Sequence, residues 1–415
     1  MKNIFKILGP GLLYAGAAIG VSHLVQSTKA GALFNYDLII ILVVANILKY
    51  PFFEYGPRYA NATGKSLVDG YAMIGKWAVI LFAILTLGSM FIIQAAVTVV
   101  TVGLFANIFN LTFSLTSLSV LVLVISGIVL MLGKYSILDK FIKFIIILLS
   151  LSTIIAVFAA LGVEKVVKPE SIMNFEWTRT ADILFLITFV GWMPAPIDLS
   201  VFSSLWGIAK TDQLGYKPPM KDVLLEFRIA YVATALLAIC FVVLGGLIMW
   251  GTGEALSHKG TIFAGQLINM YTVSIGNWAY WIISIAALTT MLSTTITVLD
   301  AYPRVLTSIY QNVFKTHAAK NKNDLTTYWV ILLIAGTSVI ILFLVKSMGH
   351  MINFATTLSF VTAPVLAWLN YKVVTDEHMP SEAKPGKVLR FMSWVGIVFF
   401  VGFTVVYFYW IIVTN

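Results

Sequence analysis

The sequence has few charged residues and a single cysteine. Of its 415 residues, 11% are charged and 60% are hydrophobic, and the mean hydropathy is +0.94. A soluble core cannot absorb so much apolar surface, so a water-soluble globular protein is excluded. The single cysteine, Cys240, cannot form an internal disulfide. The composition predicts a polytopic membrane protein whose surroundings are the lipid bilayer.

Catalytic motifs are also missing. The chain contains no His-Glu-x-x-His metal motif, no Gly-x-Ser-x-Gly nucleophile elbow and no phosphate-binding loop. The loops between the apolar stretches are too short for a soluble catalytic domain. We therefore expect no enzyme and no resident cofactor, and the only ions expected are those transported or coupled: a divalent metal, Na⁺ or H⁺.

Long apolar stretches are abundant. Nine are long enough to span a bilayer, and they run roughly over residues 36–60, 77–106, 115–133, 138–162, 224–250, 277–302, 326–346, 351–372 and 390–412. Two further apolar segments, Ile4 to Phe34 and Ile183 to Ile208, are interrupted near their middles. Together these segments predict eleven transmembrane helices.

The two interruptions contain residues that weaken or break a helix. In the first segment Gly20 stands just before His23, and in the second Pro194 and Pro196 remove two backbone donors. Lipid cannot satisfy the backbone groups that such breaks free, so the breaks must be buried or line a cavity. Both are therefore predicted to form a binding site.

The order of the spans predicts an inverted repeat. The broken helices are the first and the sixth, so spans one to five and six to ten form two units of opposite orientation. The expected organisation is one transporter domain over 1–415, with a first repeat at 1–162, an inverted second repeat at 181–372 and an extra helix at 387–415. The site is expected at the bilayer midplane, where it takes a small inorganic ion or a small-molecule substrate.

Positive charge predicts the orientation. With a cytoplasmic N-terminus, twenty of the 27 Lys and Arg residues lie on the cytoplasmic side, and only five lie outside: Lys165, Lys168, Arg179, Lys259 and Lys346. We expect an external C-terminus and a plasma (inner) membrane location. The net charge of +9 follows from this topology, so no nucleic-acid partner is implied.

Several short sequence motifs resemble those of the Nramp divalent-metal transporters. They are Gly9-Pro10-Gly11, the run from Lys29 to Tyr36, Arg58-Tyr59-Ala60, Ala62-Thr63-Gly64-Lys65 and Met193-Pro194, with looser matches at Ser293-Thr294 and Leu358-Ser359-Phe360. The resemblance is strongest over about the first 75 residues and around the sixth helix. It implies an all-α membrane protein with the 5+5 fold shared by amino-acid, sodium-coupled and metal transporters (LeuT/APC-like).

The resemblance also implies a site, from which this sequence departs. The family's first break reads Asp-Pro-Gly-Asn and provides metal ligands, but here the positions read Gly20-Val21-Ser22-His23. The family's sixth-helix Met matches Met193, whereas its following His is replaced by Ala195. The carbonyls that the family uses fall at Ala17 and Val190. Since no residue from Trp77 to Leu132 is charged, the family's proton route is not carried over.

Two functions are left open. The first is transport of a metal cation by alternating access at a site without the family's Asp, in which His23 and Met193 are metal ligands because imidazole and thioether suit soft metals. The alternative is sodium-coupled symport of a small organic or anionic substrate, with Ser293 and Thr294 facing carbonyls of the first helix. Asp198, an intramembrane carboxylate, is the remaining candidate substrate-binding residue.

Two lysines within spans have simpler interpretations. Lys49 lies in the second span and is predicted to be structural, with its side chain reaching toward the interface. Lys29 begins the segment from Lys29 to Tyr36 that resembles the Nramp family, and it is expected to cap the outer half of the first helix, without a substrate contact.

Overall fold

The computed structural model describes residues 10–132, 135–315, 322–343 and 347–414. In these ranges the chain is helical, without a strand. Its α-helices are α1 (Pro10–Ala18), α2 (Thr28–Phe34), α3 (Ile39–Thr63), α4 (Leu67–Ile74), α5 (Lys76–Ile108), α6 (Leu115–Met131), α7 (Tyr135–Ala160), α8 (Thr180–Gly191), α9 (Leu199–Leu214), α10 (Met220–Ile248), α11 (Gly260–Ile275), α12 (Tyr280–Phe314), α13 (Lys322–Phe343), α14 (Met348–Thr375) and α15 (Lys387–Thr414). The start of the first predicted segment, 4–9, lies outside the described residues.

Seven of these fifteen helices have the length and composition of membrane spans. Among the described residues, seven are long and apolar enough to cross a bilayer: α3, α5, α10, α12, α13, α14 and α15. Three shorter apolar helices lie within α6, α7 and α8. Each predicted apolar stretch therefore corresponds to a helix, and the protein is an integral membrane protein. The count of eleven spans and the inverted repeat stay predictions.

Two helices were not predicted, because they are too short or too polar to read as spans. The first, α4, begins with a capping box in which Ser66 Oγ accepts from the Asp69 amide and Asp69 accepts from the Ser66 amide at 2.8 Å. The second, α11, follows the loop after α10. In addition, α12 continues to Phe314, well beyond the predicted end at residue 302.

Small residues let α2 pack directly on α10. A Cβ atom at Gly31 would lie 1.9 Å from the Val242 carbonyl oxygen, and one at Gly245 would lie 2.3 Å from the Thr28 carbonyl oxygen. The two backbones therefore touch, which is how helices associate in lipid without a hydrophobic driving force. This contact fixes the second half of the first broken segment.

Aromatic rings fill the space beneath the first half of that segment. The ring of Tyr14 on α1 packs 5.5 Å from Phe53, 5.4 Å from Phe227 and 6.0 Å from Tyr231. Beside them, the buried Glu54 carboxylate accepts from Tyr50, from Arg58 at 2.5 Å and from Arg228 at 3.3 Å. These contacts hold α1, α3 and α10 together at the end predicted to be cytoplasmic.

Candidate functional site

The first break is a short gap followed by a widened helical turn. Helix α1 ends at Ala18, Ile19 and Gly20 are not helical, and Ser22–Ser27 form a π-helix that continues into α2. The break is therefore shorter than predicted, because the π-helix takes up the chain from Ser22 onward. Single π-helical turns of this kind are frequent at functional sites.

Gly20 lies directly against Thr294 of α12. A Cβ atom at position 20 would be 2.8 Å from Thr294 Oγ1 and 2.9 Å from its Cγ2. Such contacts are too close for real Cβ atoms, and the Thr294 side chain is short and buried. Position 20, which matches the family's Asp, thus has no room for a carboxylate while α12 stays in place.

Neutral oxygen atoms converge at this point. Thr294 Oγ1 lies 3.2 Å from the Gly16 carbonyl oxygen, 3.2 Å from that of Ile19 and 3.1 Å from that of Thr290. One hydroxyl hydrogen can satisfy only one of these three acceptors at a time. The neighbouring Ser293 Oγ is buried and has no hydrogen-bond partner among the described residues. The first break is therefore rich in oxygen lone pairs and carries no charge.

His23 is engaged elsewhere. Its Nε2 lies 2.9 Å from the Thr234 carbonyl oxygen on α10, and its Nδ1 lies 2.8 Å from Ser22 Oγ. A carbonyl oxygen can only accept, so Nε2 carries the hydrogen and offers no lone pair to a metal. In this conformation the ring links the π-helix to α10 and is fully buried.

The second break holds an ammonium group. Lys49 of α3 is fully buried, and its Nζ donates to the carbonyl oxygens of Val190 at 2.7 Å, Gly191 at 2.9 Å and Ala195 at 3.3 Å. The last carbonyls of a helix lack intrahelical donors and carry a partial negative charge. Lys49 supplies the positive charge at the end of α8.

Met193 lies in the second break and contacts the π-helix that follows the first. Its side chain is fully buried, and its Sδ is 3.8 Å from Ser27 Oγ at the end of the π-helix. The structure thus joins Met193 to Ser27 and gives His23 different neighbours. The Met193–Pro194 peptide bond is cis.

Asp198 precedes the first residue of α9, and 7% of its surface is exposed. Its backbone carbonyl accepts from the amides of Val201 and Phe202, at 2.9 and 3.2 Å. Within the described residues, no basic side chain pairs with its carboxylate. Asp198 is therefore not accounted for by an ion pair among the described contacts.

The described part of the chain has no group of three or more His, Cys, Asp and Glu side chains arranged to hold a metal ion. The predicted residues fall into two groups. Gly20 and Thr294 meet at the first break, Ser293 is the neighbour of Thr294 on α12 and its hydroxyl makes no hydrogen bond to the break among the described residues, and the Ala17 carbonyl belongs to the turn at the end of α1. Val190 and Met193 lie at the second break, where Lys49 was missed as a partner. The signal for it was a charged residue in the middle of an apolar span.

Comparisons with known proteins agree with this fold. The family model of natural resistance-associated macrophage protein-like (Nramp) proteins matches residues 11–410. The chain therefore belongs to the Nramp family of metal transporters; it is a membrane transporter and not an enzyme. An uncharacterized protein of Pasteurella multocida is 35% identical over 407 residues, which cover 97% of this chain and 92% of the relative.

Solved structures show the same fold at low identity. Crystal structures of two variants of the Eremococcus coleocola manganese transporter match with a TM-score of 0.70, at 11% and 12% identity, over 97% of this chain and 86% of theirs. A nucleobase-cation-symport-1 family transporter, in a closed conformation with bromovinylhydantoin bound, matches with a TM-score of 0.60 at 13% identity, over 95% of this chain and 90% of its own. At such identities the similarity concerns the fold.

Proposed function

We propose that the chain is a secondary transporter that moves a metal cation by alternating access, at a site between two broken helices that contains no carboxylate. In this proposal the chain has eleven spans in a 5+5 inverted repeat with the broken helices first and sixth, an arrangement in which the site lies near the bilayer midplane. The excess of Lys and Arg on one side supports a cytoplasmic N-terminus, an external C-terminus and a plasma-membrane location.

The contact between Gly20 and Thr294 is the observation that favours a monovalent over a divalent cation. A divalent hard cation needs anionic oxygen ligands to offset its dehydration, and position 20 has no room for one. A monovalent ion such as Na⁺ needs only neutral oxygens. The carbonyls of Gly16 and Ile19 from the first segment, with the carbonyl of Thr290 and the hydroxyl of Thr294 from α12, supply these. We infer that Na⁺ is the metal ion bound at the first break.

The second break argues in the same direction. The Val190 carbonyl, a ligand in the family pattern, already accepts from the Lys49 ammonium at 2.7 Å. A divalent ion bound to the same oxygen would lie about 5 Å from that charge, a repulsion of roughly 7 kcal/mol at an effective dielectric constant of 20. Lys49 therefore disfavours a divalent metal at this carbonyl.

Thermal stabilisation of purified protein tests the cation, because a ligand that binds only the folded state raises the melting temperature. We expect a rise with Na⁺ and none with Mn²⁺, Mg²⁺, Zn²⁺ or Cu⁺ at matched ionic strength. Thr294→Val, which replaces a hydroxyl by a methyl group, should weaken the Na⁺ response about tenfold or more. Thr289→Val is the matched control, since the Thr289 hydroxyl bonds only the Ile285 carbonyl among the described contacts.

Two further variants test the remaining predicted ligands, His23 and Asp198. His23→Ala and Asp198→Asn should be compared with the parent protein for the uptake of Na⁺ into proteoliposomes. Normal uptake by both variants would remove these residues from the site. A melting temperature that rises with Mn²⁺ and not with Na⁺ would overturn the proposed cation and favour the divalent metal of the family.

A second candidate function uses the same sodium site. Na⁺ moving inward drives symport of a small organic or anionic substrate, and the observation that favours it is a cavity lined by Gln26 of the π-helix and by Lys29, with no acidic residue in its lining.

A further inference from the structure

A small cavity lies between the π-helix, the loop before α11 and the first turn of α14. Its volume is about 20 Å³, enough for one water-sized group. Its polar lining comes from Gln26, Lys29, Ser257, His258 and Asn353. No acidic residue lines it. It is on the side predicted to be external, opposite the aromatic cluster around Tyr14.

Gln26 points to a missing partner in this cavity. Its side chain is 1% exposed, and its amide Nε2 has no hydrogen-bond partner among the described residues. A buried donor without an acceptor costs about 1 to 3 kcal/mol. Because Gln26 lines the cavity, an acceptor bound there would be the nearest available partner for this donor.

Lys29 supplies the charge. Within the described residues its ammonium makes no ion pair, and its recorded neighbour is the Phe185 ring, 5.7 Å from Nζ. A partly buried ammonium without a carboxylate partner attracts an anion. A negatively charged hydrogen-bond acceptor would therefore suit both Gln26 and Lys29.

His258 lies across the mouth of the cavity. Its ring stacks 6.3 Å from that of His350, and its Nδ1 lies 2.0 Å from where a Cβ atom at Gly349 would be. Burial, and then the nearby Lys29 ammonium and His350 side chain, lower the pKa of His258. Gly349 thus lets the imidazole rest on the first turn of α14, whose 28 residues direct a positive helix end toward the cavity.

We propose that this cavity binds the single anionic group of a co-transported substrate, either the carboxylate of a small organic acid or a free halide ion. Lys29 provides the charge, Gln26 donates through its free amide hydrogen atoms, and the first turn of α14 adds its positive end. The proposal rests on the proposed function, since it names the substrate that Na⁺ binding at Thr294 would drive. It replaces the expectation that Lys29 only caps the first helix.

The experiment measures the melting temperature of the full chain against increasing chloride or acetate, with methanesulfonate, an anion without a carboxylate, making up constant ionic strength. Each series is run in sodium and in choline salts. We expect saturable stabilisation by chloride or acetate in sodium. Acetate alone assigns an organic carboxylate, chloride alone assigns a halide, and both together assign a general monovalent anion site. No saturable response to either anion would overturn the proposal.

Substitutions test whether the anion binds at Lys29 and Gln26. Lys29→Met should weaken the apparent anion affinity about tenfold or more, whereas Lys29→Arg should keep most of it. Gln26→Glu places a like charge in the cavity and should abolish the response, which keeps the test decisive if Lys29→Met does not fold. Lys259→Met, at an exposed lysine near the same loop, is the control and should change nothing. An unchanged response in Lys29→Met and Gln26→Glu would contradict the assignment.

The two salts separate this proposal from the proposed function. If sodium stabilises better than choline but no anion acts, the sodium site stands and the anion site fails. If an anion acts equally in both salts and sodium has no effect of its own, the anion site stands and the sodium site fails.

Discussion

The backbone carbonyls freed at the two helix breaks have different partners. Each break frees backbone carbonyls within the membrane. At the second break the oxygens of Val190, Gly191 and Ala195 accept from the ammonium of Lys49. At the first break the carbonyls near Gly20 meet only neutral groups, with one Thr294 hydroxyl among three acceptors.

This difference indicates where a mobile cation can bind. A lysine tethered to α3 already occupies the cation position at the end of α8, so that position is filled by the chain itself. The first break has the same kind of oxygens but no built-in charge. A single added positive charge would therefore make the two breaks alike.

The largest expected effect comes from adding a carboxylate to the first break. Gly20→Asp restores the family residue but puts its Cβ atom 2.8 Å from Thr294 Oγ1. Overpacking costs about 1 to 3 kcal/mol, and a buried charge adds to that cost. We expect the melting temperature to drop sharply, without stabilisation by Mn²⁺.

The matched variants isolate the contact. Gly20→Ala should be milder than Gly20→Asp, and Thr294→Ala combined with Gly20→Asp should recover part of the loss, which a double-mutant cycle measures. If Gly20→Asp alone melts like the parent protein and responds to Mn²⁺, the steric explanation of the first break is wrong.

A smaller effect is expected from removing the charge at the second break. Lys49→Met leaves three carbonyl oxygens without their donor and should lower the free energy of unfolding by about 1 to 3 kcal/mol. Thermal unfolding measures this change. Lys387→Met, at an exposed lysine that begins α15, should have no effect.

An added amine can sharpen this test. In Lys49→Ala, methylammonium should occupy the vacated position and raise the melting temperature, whereas tetramethylammonium, which has no N–H donor, should not. Lack of rescue by methylammonium, together with a Lys49→Met variant as stable as the parent, would mean that the ammonium does not hold the second break.

The smallest expected effect is a pH dependence at the cavity beside the first break. The folded protein lowers the pKa of His258 below its ordinary value of about 6.5, so the unfolded chain binds the proton more strongly. Stability is then full above about pH 6.5 and falls as the pH drops toward the lower folded-state value. His258→Gln should flatten this slope of melting temperature against pH. The same slope in the variant would assign it to other groups.

Much of the fold could be predicted from the sequence because it follows from local properties. Apolar runs predicted every helix of spanning length, and the glycines before Ser22 and the prolines after Met193 predicted where two helices are interrupted. The adjacent hydroxyls of Ser293 and Thr294 predicted a contact with the first helix, which Thr294 makes.

The contacts of the site could not be predicted, because each joins residues distant in the chain. Lys49 reaches carbonyls about 140 positions away, and the simpler interpretation of a lysine pointing to the interface was wrong for a fully buried side chain. His23 stands at a ligand position, yet its direction was set by the Thr234 carbonyl, 211 positions away.

By itself the sequence determined the membrane class, the helices and the two interruptions, because hydropathy and the backbone chemistry of Gly and Pro act within a few residues. The tertiary structure alone decided which break carries a charge and which has none. That outcome depends on how closely α12 approaches Gly20 and on where α3 directs Lys49. Both are fixed by packing between segments far apart in the chain.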